Sequence, residues 1–370
     1  MTDHAPTRGK RERRLLPVAL AAAAFLLAAC GEGLPQNTLE PAGDIADRQR
    51  DLFMIVFWIA VVVFVVVEGA LLYVSFRYRR RRNEEAEQVH GNTRLEIVWT
   101  VIPALILAGL AFPTVGTIFS LARKPPGQPL EITVTGHQWW WEFEYGEGGV
   151  VTANEMVIPV GQPVYLRLLS DETPGGLAGF TDDGRPIPED AIPVIHSFWV
   201  PRLAGKQDLV PGREEQMNIE ADAPGTYMGQ CAEFCGISHA NMRLRVRALP
   251  PNEFTAWVAE QKADAREPLS ADAIAGRELF FDTALLEQNS CINCHVIRGT
   301  DAAARVGPDL THFADRTMFA GTMFETNETN VFNWIKNTRA MKPGVVMPVF
   351  EGLLTDEQIR QLTAYILSLE

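Results

Sequence analysis

Cysteine is scarce in this sequence, with only five among 370 residues. Four of them form two close pairs, Cys231 with Cys235 and Cys291 with Cys294, and the fifth is Cys30. If both pairs hold cofactors, no cysteine remains for a structural disulfide. That is notable because other features of the chain predict an extracytoplasmic location, where disulfides are common.

Positive charge is also in short supply, since the formal net charge is −13. An acidic surface can steer a basic donor protein, although the need for solubility explains the same charge. One cluster of basic residues contains Arg77, Arg79, Arg80, Arg81, Arg82 and Arg94. Because long hydrophobic runs flank this cluster, it indicates membrane topology, and no feature indicates nucleic-acid binding.

The first hydrophobic run covers residues 15–29 and follows a basic stretch. It is too short to span a bilayer comfortably, so it predicts a signal peptide over residues 1–29. Its end, Leu27-Ala-Ala-Cys30-Gly, resembles a bacterial lipoprotein signal, which implies a lipidated Cys30 at the start of the mature chain. Ordinary cleavage, or retention of the run as an extra anchor, remains the alternative.

The second and third runs, about 52–74 and 97–119, each reach the roughly 20 residues needed to span a membrane. The arginine-rich linker predicts that the loop between them is cytoplasmic. The chain is thus expected to have an exported segment at 30–51, a transmembrane hairpin at 52–120 and a large exported part. Glu68 lies inside the second run and is a functional candidate, although snorkelling or pairing with nearby arginines is the favoured interpretation.

The most informative cluster is Cys231-Ala-Glu-Phe-Cys235-Gly-Ile-Ser-His239-Ala-Asn-Met242, with His196 upstream. Thiolate, imidazole and thioether ligands select copper used for electron transfer. A mononuclear site needs one cysteine, and the second allows two thiolates to bridge two coppers. Zinc would have no use for Met242, and a disulfide would leave the histidines unexplained.

A second cluster, Cys291-Ile-Asn-Cys294-His295, is the covalent c-type haem attachment motif. His295 is the predicted proximal iron ligand, and a methionine is the usual distal ligand. Met347 is predicted for that position because Lys342-Pro-Gly-Val-Val-Met347-Pro resembles the distal loop of small bacterial cytochromes c. The rivals that spacing leaves open are Met341, Met323 and Met318.

Strand-like patterns begin at residue 130, where apolar and polar residues alternate, and continue near 164–169, 213–219, 226–230 and 242–248. Many short strands with turn signals predict an all-β domain over 121–250. A helical stretch at 251–261 opens the linker, 251–270, which precedes the haem domain, 271–370. The last helix is expected to begin at Thr355, where a capping box is followed by apolar residues at helical spacing.

Taken in order, the hairpin, a tryptophan-rich segment at 136–145, the copper cluster and the haem motif resemble subunit II of bacterial haem-copper cytochrome c oxidases with a fused cytochrome c domain. The resemblance implies a multidomain membrane protein with a two-helix transmembrane hairpin, an all-β cupredoxin-like domain and an all-α class I cytochrome c domain. It also implies a function. Electrons reach haem c, pass to the binuclear copper-A centre and continue to a haem of subunit I, where oxygen becomes water and protons are pumped.

The same resemblance assigns roles to single residues. Trp139 would be the residue through which electrons reach copper-A. Glu233 would give its backbone carbonyl to copper and its side chain to a magnesium or manganese ion shared with subunit I. Glu96, in Glu-x-x-Trp-Thr-x-x-Pro, would lie at the cytoplasmic mouth of a proton channel, although a carboxylate at a helix N-terminus needs no such role. The copper-A ligands implied are His196, Cys231, Glu233, Cys235, His239 and Met242.

The chain also departs from that family. Many relatives carry an acidic residue shortly before the first copper histidine, where this chain has Pro193. That acidic residue helps to dock a separate cytochrome c, so its loss agrees with a tethered haem domain. Residues 171–191, which are rich in glycine, proline and acids, resemble an insertion to which no role is assigned.

The expected partners are subunits I and III, a donor such as cytochrome c or a bc complex, and the bacterial cytoplasmic membrane. The second and third hydrophobic runs contain no histidine, so the oxygen-reducing centre is expected in a partner. Quinol oxidase subunits, nitrous oxide reductase and copper carriers or chaperones are the alternatives. The first lack the copper ligands and the second lack the hairpin, while a chaperone has no need of His239 and Met242.

Overall fold

The computed structural model describes residues 33–79, 90–146, 149–171 and 193–370. The predicted signal peptide, Cys30, the linker arginines 80–82 and all but the first residue of the 171–191 segment lie outside the described residues.

Two long helices form the hairpin, α1 at Asp44–Arg77 and α2 at Thr93–Ala122. Both are long and apolar enough to cross a membrane. Helix α1 begins well before the predicted residue 52. Its first turns carry Asp44 and Asp47, whose negative charges are favourable at the positive end of a helix. The sequence prediction missed these turns because the two aspartates interrupt the apolar pattern. Helix α2 begins as expected for a capped helix, since the Asn92 side chain accepts the backbone N–H of Arg94 and of Leu95.

Among the described residues, ten short strands follow and form two five-stranded sheets. They are β1 Leu130–His137, β2 Trp140–Tyr145, β3 Val150–Ala153, β4 Glu155–Pro159, β5 Val164–Ser170, β6 His196–Trp199, β7 Lys206–Leu209, β8 Glu215–Ile219, β9 Gly225–Cys231 and β10 Arg243–Leu249. The strand order is β3-β2-β1-β5-β8 in the first sheet and β4-β10-β9-β6-β7 in the second. Side chains from both sheets meet in one core, in which Trp141, Phe143 and Phe198 are fully buried. The predicted all-β domain is therefore confirmed.

The predicted helix at 251–261 is confirmed as α3, Pro251–Gln261. It packs on the sandwich through Phe254 and Trp257, and the Trp257 ring lies 5.3 Å from that of Tyr145. The C-terminal domain is helical, with α4 Ala271–Phe281, α5 Thr283–Leu286, α6 Glu328–Lys336, α7 Thr338–Met341, α8 Asp356–Ile366 and a short hairpin of β11 Met318–Phe319 with β12 Phe324–Glu325.

The terminal helices α4 and α8 pack closely against each other. A Cβ atom at Gly276 would lie 1.9 Å from the Gln361 carbonyl oxygen, so this crossing requires glycine. Phe280 on α4 and Tyr365 on α8 pack edge to face near the same crossing. Helix α8 begins with the predicted capping box at Thr355, which is confirmed.

The extracytoplasmic ends of the membrane helices are tied to the sandwich. Ahead of α1, the Ala42 N–H donates to the Arg202 carbonyl at 2.8 Å, and the Ala42 carbonyl accepts from the Asp222 N–H at 2.9 Å. At the end of α2, the Asn218 side chain donates to the Leu121 carbonyl at 2.8 Å. The position of the sandwich over the hairpin is therefore fixed from both helices.

Candidate copper and haem sites

The copper cluster lies at one end of the second sheet. Cys231 is the last residue of β9, and the loop from there to β10 carries Cys235 and His239. His196 is the first residue of β6, which pairs with β9 in an antiparallel register that sets Phe198 opposite Cys231. Sheet pairing thus brings His196 beside a loop that is remote from it in sequence.

The side chains of this cluster converge. The Cys231 and Cys235 sulfurs are 3.8 Å apart, and the Cys231 sulfur lies 3.9 Å from His196 Nδ1. On the other side, the Cys235 sulfur lies 3.7 Å from His239 Nδ1 and 3.8 Å from Met242 Sδ.

The remaining predicted donor is also in place. The Glu233 carbonyl oxygen lies 3.1 Å from the Cys231 sulfur. The structure therefore brings all six predicted copper donors together, and each cysteine has its own histidine.

The hydrogen bond between the two thiols lowers the pKa of Cys231 and raises the pKa of Cys235. Burial acts against ionisation of both, so a second thiolate needs added positive charge. This donor set fits soft metal ions such as copper, which the two thiolates and two imidazoles would hold.

Trp139 lies directly on the copper loop and is only 7% exposed. Its indole N–H donates to the Cys235 carbonyl at 3.0 Å, and the Gln138 side-chain amide donates to the same oxygen at 2.7 Å. The backbone of a predicted copper ligand is thus held by both residues. Sequence reasoning missed Gln138, because an amide beside a tryptophan carries no signal for this contact.

The haem motif opens onto an apolar cleft between the sandwich and the helical domain. The helical domain contributes Cys291, Cys294, His295 and Met347, and the sandwich contributes Gln138, Trp139, Trp140, Ala153 and Asn154. The cleft that would receive the haem is therefore built by both domains.

The hydrogen bonding of His295 leaves one ring nitrogen, Nε2, available to bind iron. Its Nδ1 lies 2.8 Å from the Pro308 carbonyl, which can only accept, so Nδ1 carries the proton and Nε2 keeps its lone pair. Burial lowers the pKa of His295, which keeps the imidazole neutral. Gly307 lies against the ring, because a Cβ there would be 2.6 Å from His295 Cε1.

Other groups in the cleft also fit a covalent haem. Burial raises the pKa of Cys291 to about 12, so this thiol stays protonated until it reacts. Arg316 lines the cleft as a half-buried cation, suited to an anionic group of a bound cofactor. Of the four candidate methionines, all of which are described, Met347 lines the cleft, which supports it as the distal ligand.

Of the predicted site residues, Glu96 lies apart from both clusters, and Glu233 contributes its backbone carbonyl but not its side chain to the copper cluster. Glu96 is exposed in the first turn of α2, and about 40 Å of helix separates it from the sandwich end. The structure therefore does not bring Glu96 together with the copper or haem residues. The Glu233 side chain is half-buried, and its carboxylate accepts the Phe234 N–H at 3.3 Å.

A buried pair that sequence reasoning missed lies beside the haem cleft. His137 Nδ1 lies 2.9 Å from the Asp171 carboxylate, and its ring stacks on Trp140 at 4.2 Å between centroids. The pair stiffens a wall of the cleft. Its partners are far apart in sequence, so no local pattern indicates the contact.

Three known families match this sequence. Residues 36–116 match the transmembrane domain of cytochrome c oxidase subunit II, residues 130–249 match its periplasmic domain, and residues 273–370 match cytochrome c.

Relatives of similar length are found in bacteria. Cytochrome c oxidase subunit 2 of Alkalihalophilus pseudofirmus is 37% identical over 368 residues, covering 98% of this chain and 98% of its own. Its counterpart from Bacillus sp. strain PS3 is 38% identical over 368 residues, covering 94% and 95%. The crystal structure of the periplasmic domain of subunit II of cytochrome oxidase from Bradyrhizobium japonicum is 28% identical, covering 37% of this chain and 96% of that domain with a TM-score of 0.30.

Proposed function

The chain belongs to the cytochrome c oxidase subunit II family, and from this premise we propose that electrons enter a bacterial haem-copper oxidase through it. The family places the chain in an oxidoreductase complex and its sandwich outside the cytoplasm. In our proposal the complex resides in the bacterial cytoplasmic membrane. Subunit I reduces oxygen to water there and pumps protons, subunit III completes the assembly, and a cytochrome c or bc complex is the donor.

The observation that carries the proposal is the place of Trp139. Its side chain lines the haem cleft and also donates a hydrogen bond to the carbonyl of Cys235. One residue therefore contacts both candidate redox sites, as expected if electrons pass between them.

The residues that would hold the cofactors are those described above. His295 and Met347 would ligate a haem c attached through Cys291 and Cys294. The copper-A donors would be His196, Cys231, Glu233, Cys235, His239 and Met242. When bound, these groups supply one-electron transfer at separate potentials.

The surrounding residues keep the ligands in place. Antiparallel pairing of β6 with β9 fixes His196 beside Cys231, and the Pro308 carbonyl fixes the His295 tautomer. Ligands that are already positioned need little rearrangement when the charge of a bound metal changes, and this favours fast transfer.

Further roles follow from the family alone and are part of the proposal. The Glu233 side chain would reach a magnesium or manganese ion shared with subunit I. Glu96, at the cytoplasmic end of α2, would lie at the mouth of a proton channel in that subunit. Cys30 would carry the lipid of a processed lipoprotein signal.

The test is to produce the full chain in a bacterium that matures cytochromes c, purify it in detergent and load copper. Metal analysis, visible spectra and EPR are recorded on one sample. The proposal expects two coppers that share one unpaired electron, seen as a seven-line hyperfine pattern, together with one haem c. A single copper with a four-line pattern, or bound zinc, would contradict the copper-A assignment.

A further inference from the structure

Lys342 is buried where the sandwich meets the helical domain, with only 2% of its surface exposed. It belongs to the helical domain and lies five residues before Met347. Its ammonium donates to the Trp139 carbonyl at 2.7 Å and to the Ala320 carbonyl at 3.1 Å. One acceptor belongs to each domain, so the ammonium bridges the two.

A buried ammonium group is costly unless hydrogen bonds replace its water. Burial lowers the pKa of Lys342 to about 7, which reflects that cost. The two carbonyls compensate for it only while the domains are in contact, because one of them belongs to Trp139. This geometry makes the lysine sensitive to the relative position of the two domains.

The residues after Lys342 meet the same surface. The Ser238 hydroxyl, in the copper loop, donates to the Pro343 carbonyl at 2.5 Å. A Cβ at Gly344, where φ is +81°, would lie 2.5 Å from Trp139 Cζ3 and 2.4 Å from Ile237 Cγ2. The indole ring of Trp139 therefore packs against the backbone of Gly344, three residues before Met347.

Other contacts hold the two domains together farther from Trp139. Arg298 donates to the Gly149 carbonyl at 2.5 Å, and Arg245 donates to the Thr317 hydroxyl at 2.5 Å. Loss of the lysine contact should therefore loosen the fit at Trp139 without separating the domains.

We propose that Lys342 is a positioning residue, which bridges the carbonyls of Trp139 and Ala320. It thereby fixes the loop at 343–347, here called the haem-side loop, against Trp139. This inference rests on the proposed function and deepens it. It assigns to the helical domain a residue that binds neither cofactor but sets the position of the haem site relative to the copper site.

The test replaces Lys342 with methionine in the full chain carrying haem and copper, which keeps a long apolar stem and removes the N–H donors. Two properties are measured: the rate of electron transfer from photoreduced haem to copper, and amide hydrogen exchange in residues 138–141 and 318–345. K342M should transfer about tenfold more slowly, equivalent to ~1.4 kcal/mol, and exchange faster in both segments. The haem spectrum, the copper EPR signal and both potentials should match those of the wild type.

The matched control is K336M, which removes a lysine of the same domain that pairs with Asp356 away from the sandwich. Its transfer rate and exchange should equal those of the wild type. G344A, which adds a methyl group where the indole lies, should repeat the K342M result from the neighbouring residue.

Wild-type transfer and exchange in K342M would overturn the inference. Loss of haem from K342M would also overturn it, because Lys342 would then be a folding residue of its own domain. Absence of transfer in the wild-type chain would reject the proposed function, and this inference with it, before any variant is compared.

Discussion

At the scale of the residue, Gly307 shows that the haem site depends on the absence of a side chain. A Cβ there would lie 2.6 Å from Cε1 and 3.0 Å from Nδ1 of His295. G307A should displace the imidazole at a cost of about 1–3 kcal/mol, as overpacking of a filled site does. The haem should stay attached through Cys291 and Cys294 but lose part of its low-spin character, measured by visible and EPR spectra.

The control for this variant is G225A, because a Cβ at Gly225 would meet only the Tyr227 side chain, 3.8 Å from its hydroxyl oxygen. Its haem spectrum should be that of the wild type. A fully low-spin haem in G307A would contradict the prediction, because the His295 imidazole would then have room for the added methyl group.

Single residues were predictable where chemistry is local in sequence. Five of the six predicted copper donors lie within one short loop, and their sulfur and imidazole groups favour copper before any fold is known. Lys342 and Trp139 are 203 positions apart, and no pattern in either segment indicates that they meet. The contact arises from domain packing, which spacing does not encode.

At the scale of the element, Glu155 links two strands that are distant in sequence, β4 and β10. Its carboxylate accepts from Arg245 at 2.5 Å and from Arg247 at 2.7 Å, and both Glu155 and Arg245 are largely buried. E155Q should lower the free energy of unfolding by about 3 kcal/mol, because two guanidinium groups lose their carboxylate in a site poor in water. Urea unfolding followed by the copper absorption band would measure it.

The comparison variant is E214Q, which breaks the exposed Glu214–Arg167 pair between the β7–β8 loop and β5. Exposed pairs contribute about 0–1 kcal/mol, so this change should be small. Equal effects of the two substitutions on the free energy of unfolding would mean that water reaches the Glu155 ion pairs.

Elements were predictable where their period was clear. The 164–169 and 226–230 patterns correspond to β5 and β9, and the α8 capping box is present as expected. Strand β2 was not identified as a strand, because three consecutive tryptophans hide the alternation that the structure shows. Strands β6 and β7 have four residues each, too few for a period to be read.

At the scale of the whole molecule, side-chain contacts rather than the linker should set the position of the helical domain. Leu269 in the linker is 94% exposed, whereas the side chains of Lys342, Arg245 and Arg298 each donate a hydrogen bond to the other domain. Inserting about ten Gly/Ser residues after Glu267 should slow haem-to-copper transfer no more than about threefold, since each doubling of a loop costs only ~0.6 kcal/mol. Photoreduction of the full chain measures this.

A second insertion of the same length after α6, at Asn337, provides the contrast, because the adjacent Thr338 hydroxyl donates to the Met347 carbonyl at 3.1 Å. A tenfold fall caused by the linker insertion would show instead that chain length holds the domains in place. The order of the domains was evident from the sequence, but their mutual fit was not, because it depends on single hydrogen bonds between surfaces.

The linker, 251–270, also fixes the ratio of the two candidate redox sites. Because the haem motif and the copper loop occur once each in one polypeptide, their stoichiometry is one to one in every copy, whatever the level of expression. In the proposed function, transfer between the two sites is then first order in protein, and dilution leaves its rate unchanged. A soluble carrier, by contrast, would slow as its pool became depleted.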